Sequence, residues 1–225
     1  MSVKSEVAVI FDVDGTLVDT NYLHTLAWWR AFRDAGRELP MVRFHHLIGM
    51  GSSEIIEELT GSDDEKLSES HTEHYHTLRG ELVRLPGARE LLHEVARRGA
   101  RVVLATSAKA EDLKVLRKTL DCDDVIDSVT SSKDVERSKP DPDIFDTSLA
   151  KEDIGATRAI CVGDTVWDVK AAAAAGLECV GVLTGGIGRA ELQDAGAVAV
   201  YKDCAHLLEE LDASPIGALI ASDEQ

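Results

Sequence analysis

Short apolar runs alternate with amphipathic segments along most of this chain, and that alternation limits the fold more than any other feature. The runs predict strands at residues 7–11, 101–105, 125–129, 159–163, 179–183 and, more weakly, 197–201. Helical periodicity predicts helices at residues 87–98, 109–120, 141–150, 168–175, 189–194 and 204–211. Strands and helices in this order build a doubly wound parallel sheet with helices on both faces. We therefore expect an α/β fold with its ligand crevice at the carboxyl ends of the strands.

One stretch, residues 18–83, breaks the alternation. It contains no strand candidate and predicts about four helices, the first of which starts at Tyr22. The chain would leave the α/β part after the first strand and return to it near Pro86. We therefore predict a core of residues 1–17 and 84–225, with an inserted, all-helical cap of residues 18–83.

The charge balance limits the partners of the chain. Its 225 residues include 24 basic and 41 acidic side chains, and the net charge of −17 argues against binding to nucleic acid or to a membrane through basic patches. A phosphorylated small molecule stays open as a ligand, because salt screens charges beyond roughly 8 Å and the crevice can carry its own cations. The cysteines are scattered, no apolar run could span a membrane, and the sequence starts with polar residues. We therefore expect a cytoplasmic protein. We also expect it to be a monomer or a weak dimer.

Two carboxylates follow the first strand. Asp12 and Asp14 lie two positions apart in an extended turn, and Gly15 lets the chain bend sharply after them. Carboxylates held this close repel each other, so the pair predicts either a bound divalent cation or one raised pKa. An acidic turn that caps a helix is the alternative interpretation.

Three later loops at the crevice carry related groups: Thr106 and Ser107, then Lys139, then Asp164 and Asp168. Taken singly, these residues fit helix caps or an exposed lysine equally well. Together with the first two acids, they place hydroxyls, an ammonium and carboxylates around one crevice. That combination suits one phosphate and one hard cation.

These groups lie in motifs that resemble the four signature motifs of the haloacid dehalogenase-like hydrolase superfamily. The motifs are Asp-x-Asp-Gly-Thr at 12–16, the hydroxyl of Thr106, Lys-Pro-x-Pro-x-x-Phe at 139–145 and Gly-Asp-x-x-x-Asp at 163–168. A helical cap between the first two motifs is similar to the subfamily of phosphoglycolate phosphatases and β-phosphoglucomutases. The resemblance implies a Rossmann-like core and Mg²⁺ as the cofactor.

The resemblance also implies roles for the four acids. Asp12 would be the nucleophile that forms an aspartyl-phosphate, and Asp14 would protonate the leaving oxygen and then activate water. Asp12, the backbone carbonyl of Asp14 and the Asp164 carboxylate would hold Mg²⁺. Asp168 would act from behind these ligands or through a water molecule.

The same resemblance implies that three further residues bind the phosphate. Thr106 and the backbone amide of Ser107 would hold phosphoryl oxygens. Lys139 would pair with both the phosphate and Asp12. We expect this pairing to lower the pKa of Asp12, so that the carboxylate attacks in its ionised form.

Residues of the cap would shape specificity. Thr20 and His24 resemble the hinge and first cap helix of β-phosphoglucomutases, where such side chains steer the acid–base steps. Gly49 and Met50 would form a cap turn that faces the substrate. Arg43 would contact a substrate carboxylate or phosphate, or else lie exposed on the cap.

Two further patterns in the cap bear on function. The mutases present a lysine and an arginine near this turn to hold a second phosphate, and Ile48 and Ser52 stand in those places here, which disfavours a bisphosphate. The histidines of the last predicted cap helix, His71, His74 and His76, lack a reliable metal-ligand spacing. We expect them to form a solvated helix face.

We therefore predict a Mg²⁺-dependent phosphatase that acts on a small phosphate ester of the phosphoglycolate or sugar-phosphate type. The residue Asp14 argues against a dehalogenase, because those relatives use no acid at that position. A sugar-phosphate mutase is the alternative enzyme. A catalytically idle binding protein on the same fold is a third hypothesis.

Overall fold

The computed structural model describes residues 6–223 and contains a six-stranded parallel sheet. In chain order, the strands of the described residues are β1 (Ala8–Phe11), β2 (Val18–Asp19), β3 (Val83–Arg84), β4 (Arg101–Ala105), β5 (Ser128–Thr130), β6 (Ala159–Gly163), β7 (Glu178–Val182) and β8 (Ala199–Tyr201). The large sheet has the order β5-β4-β1-β6-β7-β8, and all its neighbouring strands pair in parallel. The predicted doubly wound parallel sheet is confirmed.

Helices fill the connections between these strands. They are α1 (Asn21–Asp34), α2 (Met41–His45), α3 (Ser52–Thr60), α4 (Glu65–His76), α5 (Ala88–Arg97), α6 (Ala110–Leu120), α7 (Asp143–Glu152), α8 (Val166–Ala174), α9 (Arg189–Ala195), α10 (Cys204–Glu209) and α11 (Pro215–Asp223). The first four lie between β2 and β3 and form the helical cap. Nowhere in residues 6–223 is a helix both long enough and apolar enough to cross a membrane.

Both faces of the large sheet are buried, as the continuous apolar runs predict. Successive residues of a strand point to opposite faces, so Val9 and Phe11 pack in one apolar cluster while Ala8 and Ile10 pack in the other. Helices α5 and α10 contribute to the first cluster, and α7 and α8 contribute to the second. The strands are therefore held rigidly from above and below, and so are the loops at their ends.

The strand order fixes the place of the crevice. The chain moves from β1 to β4 on one side and later returns to pair β6 against the other side of β1. Loops after β1 and β6 therefore diverge at the carboxyl edge and leave an opening between them. Asp12, Thr106 and Asp164 each directly follow one of these three central strands.

A small antiparallel pair lies where the cap joins the core, and the sequence reasoning missed it. Val18 pairs with Arg84, and Asp19 pairs with Val83. Two-residue strands carry too few residues to show a period, which is why residues 18–83 read as wholly helical. The boundaries 17/18 and 83/84 of the cap stay a prediction. Strand β2 begins directly after the first of them, and β3 spans the second.

An apolar cluster of its own stabilises the cap. Trp28, Phe32 and Phe44 are almost fully buried, and Ile55 and Ile56 pack with them. The ring of Phe32 meets Trp28 and Phe44 edge-on, with centroids 6.4 and 5.0 Å away. The aromatic residues at the start of the cap therefore serve as its core.

Candidate active site

Lys139 stands between two carboxylates at the carboxyl end of the sheet. Its Nζ donates to Asp12 Oδ1 at 2.6 Å and to Asp168 Oδ1 at 2.7 Å. The lysine is only 1 % exposed, and both acids are buried. Charge-assisted hydrogen bonds of this length in a buried site fix all three side chains. The structure therefore places Lys139 in contact with Asp12, the pairing that the sequence predicts.

Asp164 lies beside this group and is held by two residues from the loop after β1 and from the cap. Thr16 Oγ1 donates to Asp164 Oδ1 at 2.7 Å, and Asn21 Nδ2 donates to Asp164 Oδ2 at 2.7 Å. Asn21 is the first residue of α1. A cap helix therefore reaches directly into the acidic cluster of the core.

Asp168 has two tasks at once. Its Oδ2 accepts hydrogen bonds from the backbone N and the Oγ1 of Thr165, at 3.0 and 2.6 Å, and forms a capping box at the start of α8. Its Oδ1 accepts from Lys139. Asp168 therefore caps α8 and also contacts Lys139.

Three carboxylates are close enough to share one cation. Oxygens of Asp12, Asp164 and Asp168 lie within 4.8 Å of one another, and all three residues are buried. Hard oxygen donors of this kind fit Mg²⁺. The Asp164 carboxylate accepts two side-chain hydrogen bonds in all, whereas the Asp168 carboxylate accepts three hydrogen bonds, one of them from Lys139. This geometry favours Asp12 and Asp164 over Asp168 as direct ligands.

The raised pKa values in this cluster indicate an excess of buried negative charge. Burial, together with the negative charge of Asp168, raises the pKa of Asp164 to about 7. Burial likewise raises the pKa of Asp12 well above its usual value, and this outweighs the lowering by Lys139. Lys139 lowers the pKa of Asp12 in the expected direction, but the net pKa is still raised, because burial outweighs an ammonium that is shared with Asp168. A divalent cation would supply the missing charge.

Asp14 does not belong to this cluster of three acids. Thr106 Oγ1 donates to Asp14 Oδ2 at 3.0 Å, and His24 Nε2 lies 3.5 Å from Asp14 Oδ1. Burial raises the pKa of Asp14, but the hydrogen bond and charge of His24 and the hydroxyls of Thr20 and Thr106 bring it below the usual value. The Thr106 hydroxyl donates its one hydrogen bond to Asp14, and the Thr106 oxygen accepts a hydrogen bond from the backbone N of Ala108 at 3.0 Å.

A cavity of about 80 Å³ opens between the core and the cap. Its lining from the core is Asp12, Asp14, Ser107, Ala108 and Lys139, and its lining from the cap is His24, Trp28, residues 48–52, Ile55 and His71. Five predicted site residues therefore line one space, and Gly49 and Met50 join them from the cap turn. Asp164 and Asp168 lie behind this surface.

Two predicted cap residues do not reach the cavity lining. Arg43 is exposed on α2. Thr20 is fully buried just before α1, where its hydroxyl helps to lower the pKa of Asp14. Gly49 does line the cavity; a Cβ there would lie 2.7 Å from Thr165 Oγ1, and the residue has a φ of 104°. Only glycine lets the cap turn approach the core so closely.

The cap histidines depart from their prediction at His71. This residue is 8 % exposed, stacks on Trp28 with centroids 4.0 Å apart, and shares a 3.2 Å hydrogen bond with His24 Nδ1 through its Nε2. The expected solvated face holds for its neighbour His74, whose Nε2 lies 2.6 Å from the exposed Asp34 carboxylate. A local pattern of three histidines does not show which of them faces the cap core.

Sequence reasoning missed Thr16, Asn21 and Gly185. A Cβ on Gly185 would lie 1.8 Å from Asp164 Oδ2 and 2.7 Å from Asn21 Nδ2. The only local signal was the glycine pair that follows β7, which marks a place where another group approaches the backbone. The partners of Thr16 and Asn21 lie 148 and 143 residues away along the chain, beyond any local pattern.

The contact at Gly185 gives a direct prediction. The substitution Gly185→Ala places a methyl group where Asp164 Oδ2 lies, so the carboxylate has to move. A displacement of about 1 Å in a positioned catalytic group costs on the order of 100-fold in rate, and we expect at least that loss in kcat/KM for a phosphate ester. Steady-state kinetics at several Mg²⁺ concentrations measure it.

The substitution Gly188→Ala is the matched control for this prediction. Gly188 lies in the same loop with a φ of −69°, and a Cβ there would meet only the end of the flexible Glu191 side chain at 3.3 Å. We expect this variant to keep wild-type kinetics. Equal losses in both variants would show that loop rigidity, and not the position of Asp164, limits the rate.

Comparisons with known proteins agree with this geometry. The family model described as haloacid dehalogenase-like hydrolase matches residues 9–182. The sequence is 30% identical over 203 residues to a phosphorylated carbohydrates phosphatase of Thermotoga maritima, covering 87% of this chain and 94% of that protein. It is 29% identical over 191 residues to the β-phosphoglucomutase of Bacillus subtilis, covering 78% of this chain and 82% of that protein.

A solved structure shares the whole architecture. The crystal structure of a hydrolase from Pseudomonas syringae superposes with a TM-score of 0.87 and 35% sequence identity. The match covers 92% of this chain and 98% of that one, so it includes both the sheet and the inserted helices.

Proposed function

This chain belongs to the haloacid dehalogenase-like hydrolase family and is a phosphoric monoester hydrolase, and on that premise we propose that it is a Mg²⁺-dependent phosphatase of small phosphorylated metabolites. The substrate class is that of sugar phosphates or phosphoglycolate. The observation that carries the proposal is the convergence of Asp12, Lys139 and Asp164 beside a small cavity. The phosphorylated carbohydrates phosphatase among the relatives supports the same class.

Asp12 is the proposed nucleophile of the first step. One of its carboxylate oxygens forms a bond to phosphorus while the bond from phosphorus to the leaving oxygen breaks, which gives an aspartyl-phosphate and an alcohol. Lys139, 2.6 Å from Asp12 Oδ1, holds the carboxylate and neutralises charge on the transferring group. When bound, Mg²⁺ would be held by Asp12, the backbone carbonyl of Asp14 and Asp164, and would supply the charge that lets two anions approach.

Asp14 is the proposed acid and base. In the first step it carries the proton that goes to the leaving oxygen, and the adjacent phosphate dianion raises its pKa toward the protonated form. In the second step the ionised carboxylate takes a proton from the water that attacks the aspartyl-phosphate. Thr106 and His24 hold Asp14 toward the cavity for both steps.

The metal requirement tests the proposal. We expect the protein to release phosphate from at least one ester in a panel of sugar phosphates, phosphoglycolate and nucleotides. Treatment with EDTA should reduce the rate by at least about 100-fold, and added Mg²⁺ should restore it, because the buried acids need a compensating cation. Phosphate release that persists at full rate in EDTA would refute the metal-dependent mechanism.

A sugar-phosphate mutase is the second candidate, favoured by the similarity to a β-phosphoglucomutase. The two functions differ in the fate of the phosphoryl group after the first step. Conversion of a β-hexose 1-phosphate into the 6-phosphate faster than phosphate release would favour the mutase.

A further inference from the structure

We propose that the substrate is a phosphate monoester with an uncharged leaving group, and that the cap side of the cavity rejects a second anionic group, whether carboxylate or phosphate. The inference rests on the proposed function of this same site and narrows its substrate class. Neutral sugar or polyol phosphates fit it, whereas phosphoglycolate and bisphosphates do not.

The cap wall of the cavity is mostly apolar. Trp28, Ile48 and Ile55 line it and are between 2 and 5 % exposed, and Met50 packs against the same cluster. These residues belong to the apolar core of the cap, so the wall is fixed by packing and does not rearrange freely. Carbon atoms of a leaving group gain contact there, and among the side chains of this wall only Trp28, Ser52 and the two histidines carry a polar atom.

The core side of the cavity holds one ammonium, and both carboxylates bonded to it are fixed. Lys139 Nζ donates to Asp12 and to Asp168. Asp14 adds a further negative charge to the lining. Mg²⁺, when bound, and Lys139 would both be engaged by these acids and by the transferring phosphate, so the lining from the core has no further cation for a second anion.

The two histidines that line the cavity already contact other side chains of the protein. His24 has one ring nitrogen 3.5 Å from Asp14 and the other 3.2 Å from His71 Nε2. His71 is buried against Trp28, and burial together with the charge of His24 lowers its pKa well below the usual value. The neutral, buried imidazole of His71 offers no net charge to a substrate anion, and the charge of His24 is paired with Asp14.

Other cations near the cavity point elsewhere. Lys109 follows the lining residue Ala108, but its Nζ donates to Thr72 Oγ1 at 3.3 Å. Arg79 forms an ion pair with Asp112 at the edge of the cap. Neither residue, nor the exposed Arg43, lines the cavity. Burying an anion without a partner is strongly unfavourable, so a second charge on the substrate weakens binding.

A matched pair of esters tests the inference on the Mg²⁺-loaded protein. 2-Hydroxyethyl phosphate and 2-phosphoglycolate differ only in a terminal CH₂OH or carboxylate. We expect kcat/KM to be at least about tenfold higher for the neutral ester, the factor that corresponds to about 1.4 kcal/mol. Glucose 6-phosphate and glucose 1,6-bisphosphate form the second pair, and we expect the higher kcat/KM for glucose 6-phosphate. Equal values, or a preference for the charged members, would overturn the inference.

A charge added to the cap wall provides the complementary test. The substitution Ser52→Arg puts a guanidinium in the lining and should raise the ratio of charged to neutral turnover by at least about tenfold. Val42→Arg adds the same charge on α2, at a side chain that is 55 % exposed and outside the cavity, and should leave the ratio unchanged. A ratio that responds equally to both substitutions would show that overall charge, and not the cavity wall, sets the preference.

Binding separates failure of this inference from failure of the proposed function. If no ester is turned over, the proposed phosphatase activity is wrong, and the intact esters can be titrated into the same protein by calorimetry. Tighter binding of 2-hydroxyethyl phosphate would then support the selectivity of the cavity. Equal or tighter binding of 2-phosphoglycolate would overturn it.

Discussion

Replacing Asp12 with asparagine is expected to lower the turnover of every phosphate ester by at least about 10⁴-fold, because the amide cannot form the aspartyl-phosphate. The amide oxygen can still accept a hydrogen bond from Lys139, which lies 2.6 Å from Asp12 Oδ1 in the wild-type protein. The variant should therefore fold and keep its cavity. Initial rates of phosphate release measure the effect.

The exposed Asp194 provides the control for this substitution. Asp194→Asn removes the same charge from α9, far from the acidic cluster, and should leave turnover unchanged. Circular dichroism and thermal unfolding would confirm that both variants are folded. Ordinary activity in a folded Asp12→Asn protein would refute the assignment of the nucleophile.

Removal of the buried ammonium is expected to have the largest effect on stability. Lys139→Ala leaves the carboxylates of Asp12 and Asp168 facing each other without a cation. Breaking a buried ion pair by deleting one partner costs about 3–5 kcal/mol of unfolding free energy, and we expect a loss in that range in metal-free buffer. Chemical denaturation measures it, and the same variant should show no turnover.

A half-exposed ion pair serves as the control for Lys139→Ala. Lys151 lies 3.3 Å from Asp134, and its side chain is 33% exposed. Because solvent screens such a pair, Lys151→Ala should change the unfolding free energy by at most about 1 kcal/mol. Similar losses in both variants would contradict the special position of Lys139 in the core.

The sequence predicted the strands of the sheet well where apolar runs end abruptly. Strands β4 and β6 match their predicted residues, because polar residues or glycine follow each run. Strand β5 begins only at Ser128, since residues 122–127 form a turn in which the Asp127 carboxylate accepts from the Val102 amide. Helix α7 begins two residues later than predicted, after Pro142. Local pattern therefore fixes which elements exist better than it fixes their ends.

The sequence predicted mainly those site residues that lie in recognisable motifs. Asp12 and Lys139 lie in distinct motifs, and the two side chains meet although β4 separates the strands that precede them. Asn21 has no such motif, and its contact with Asp164 exists only in the folded chain. His71 was misjudged for the same reason, because helical spacing does not reveal that Trp28 from another helix covers it.

The bond from Asn21 to Asp164 ties the first turn of α1 to the acidic cluster, so the cap is not a freely exchangeable module. A chimaera that takes its cap from a relative should place the first junction after Asn21, within the first turn of α1, and keep that residue with the recipient. A junction at the apparent boundary near residue 18 would also replace a residue that orients Asp164. Loss of activity in such a chimaera would then report on the core and not on the new specificity.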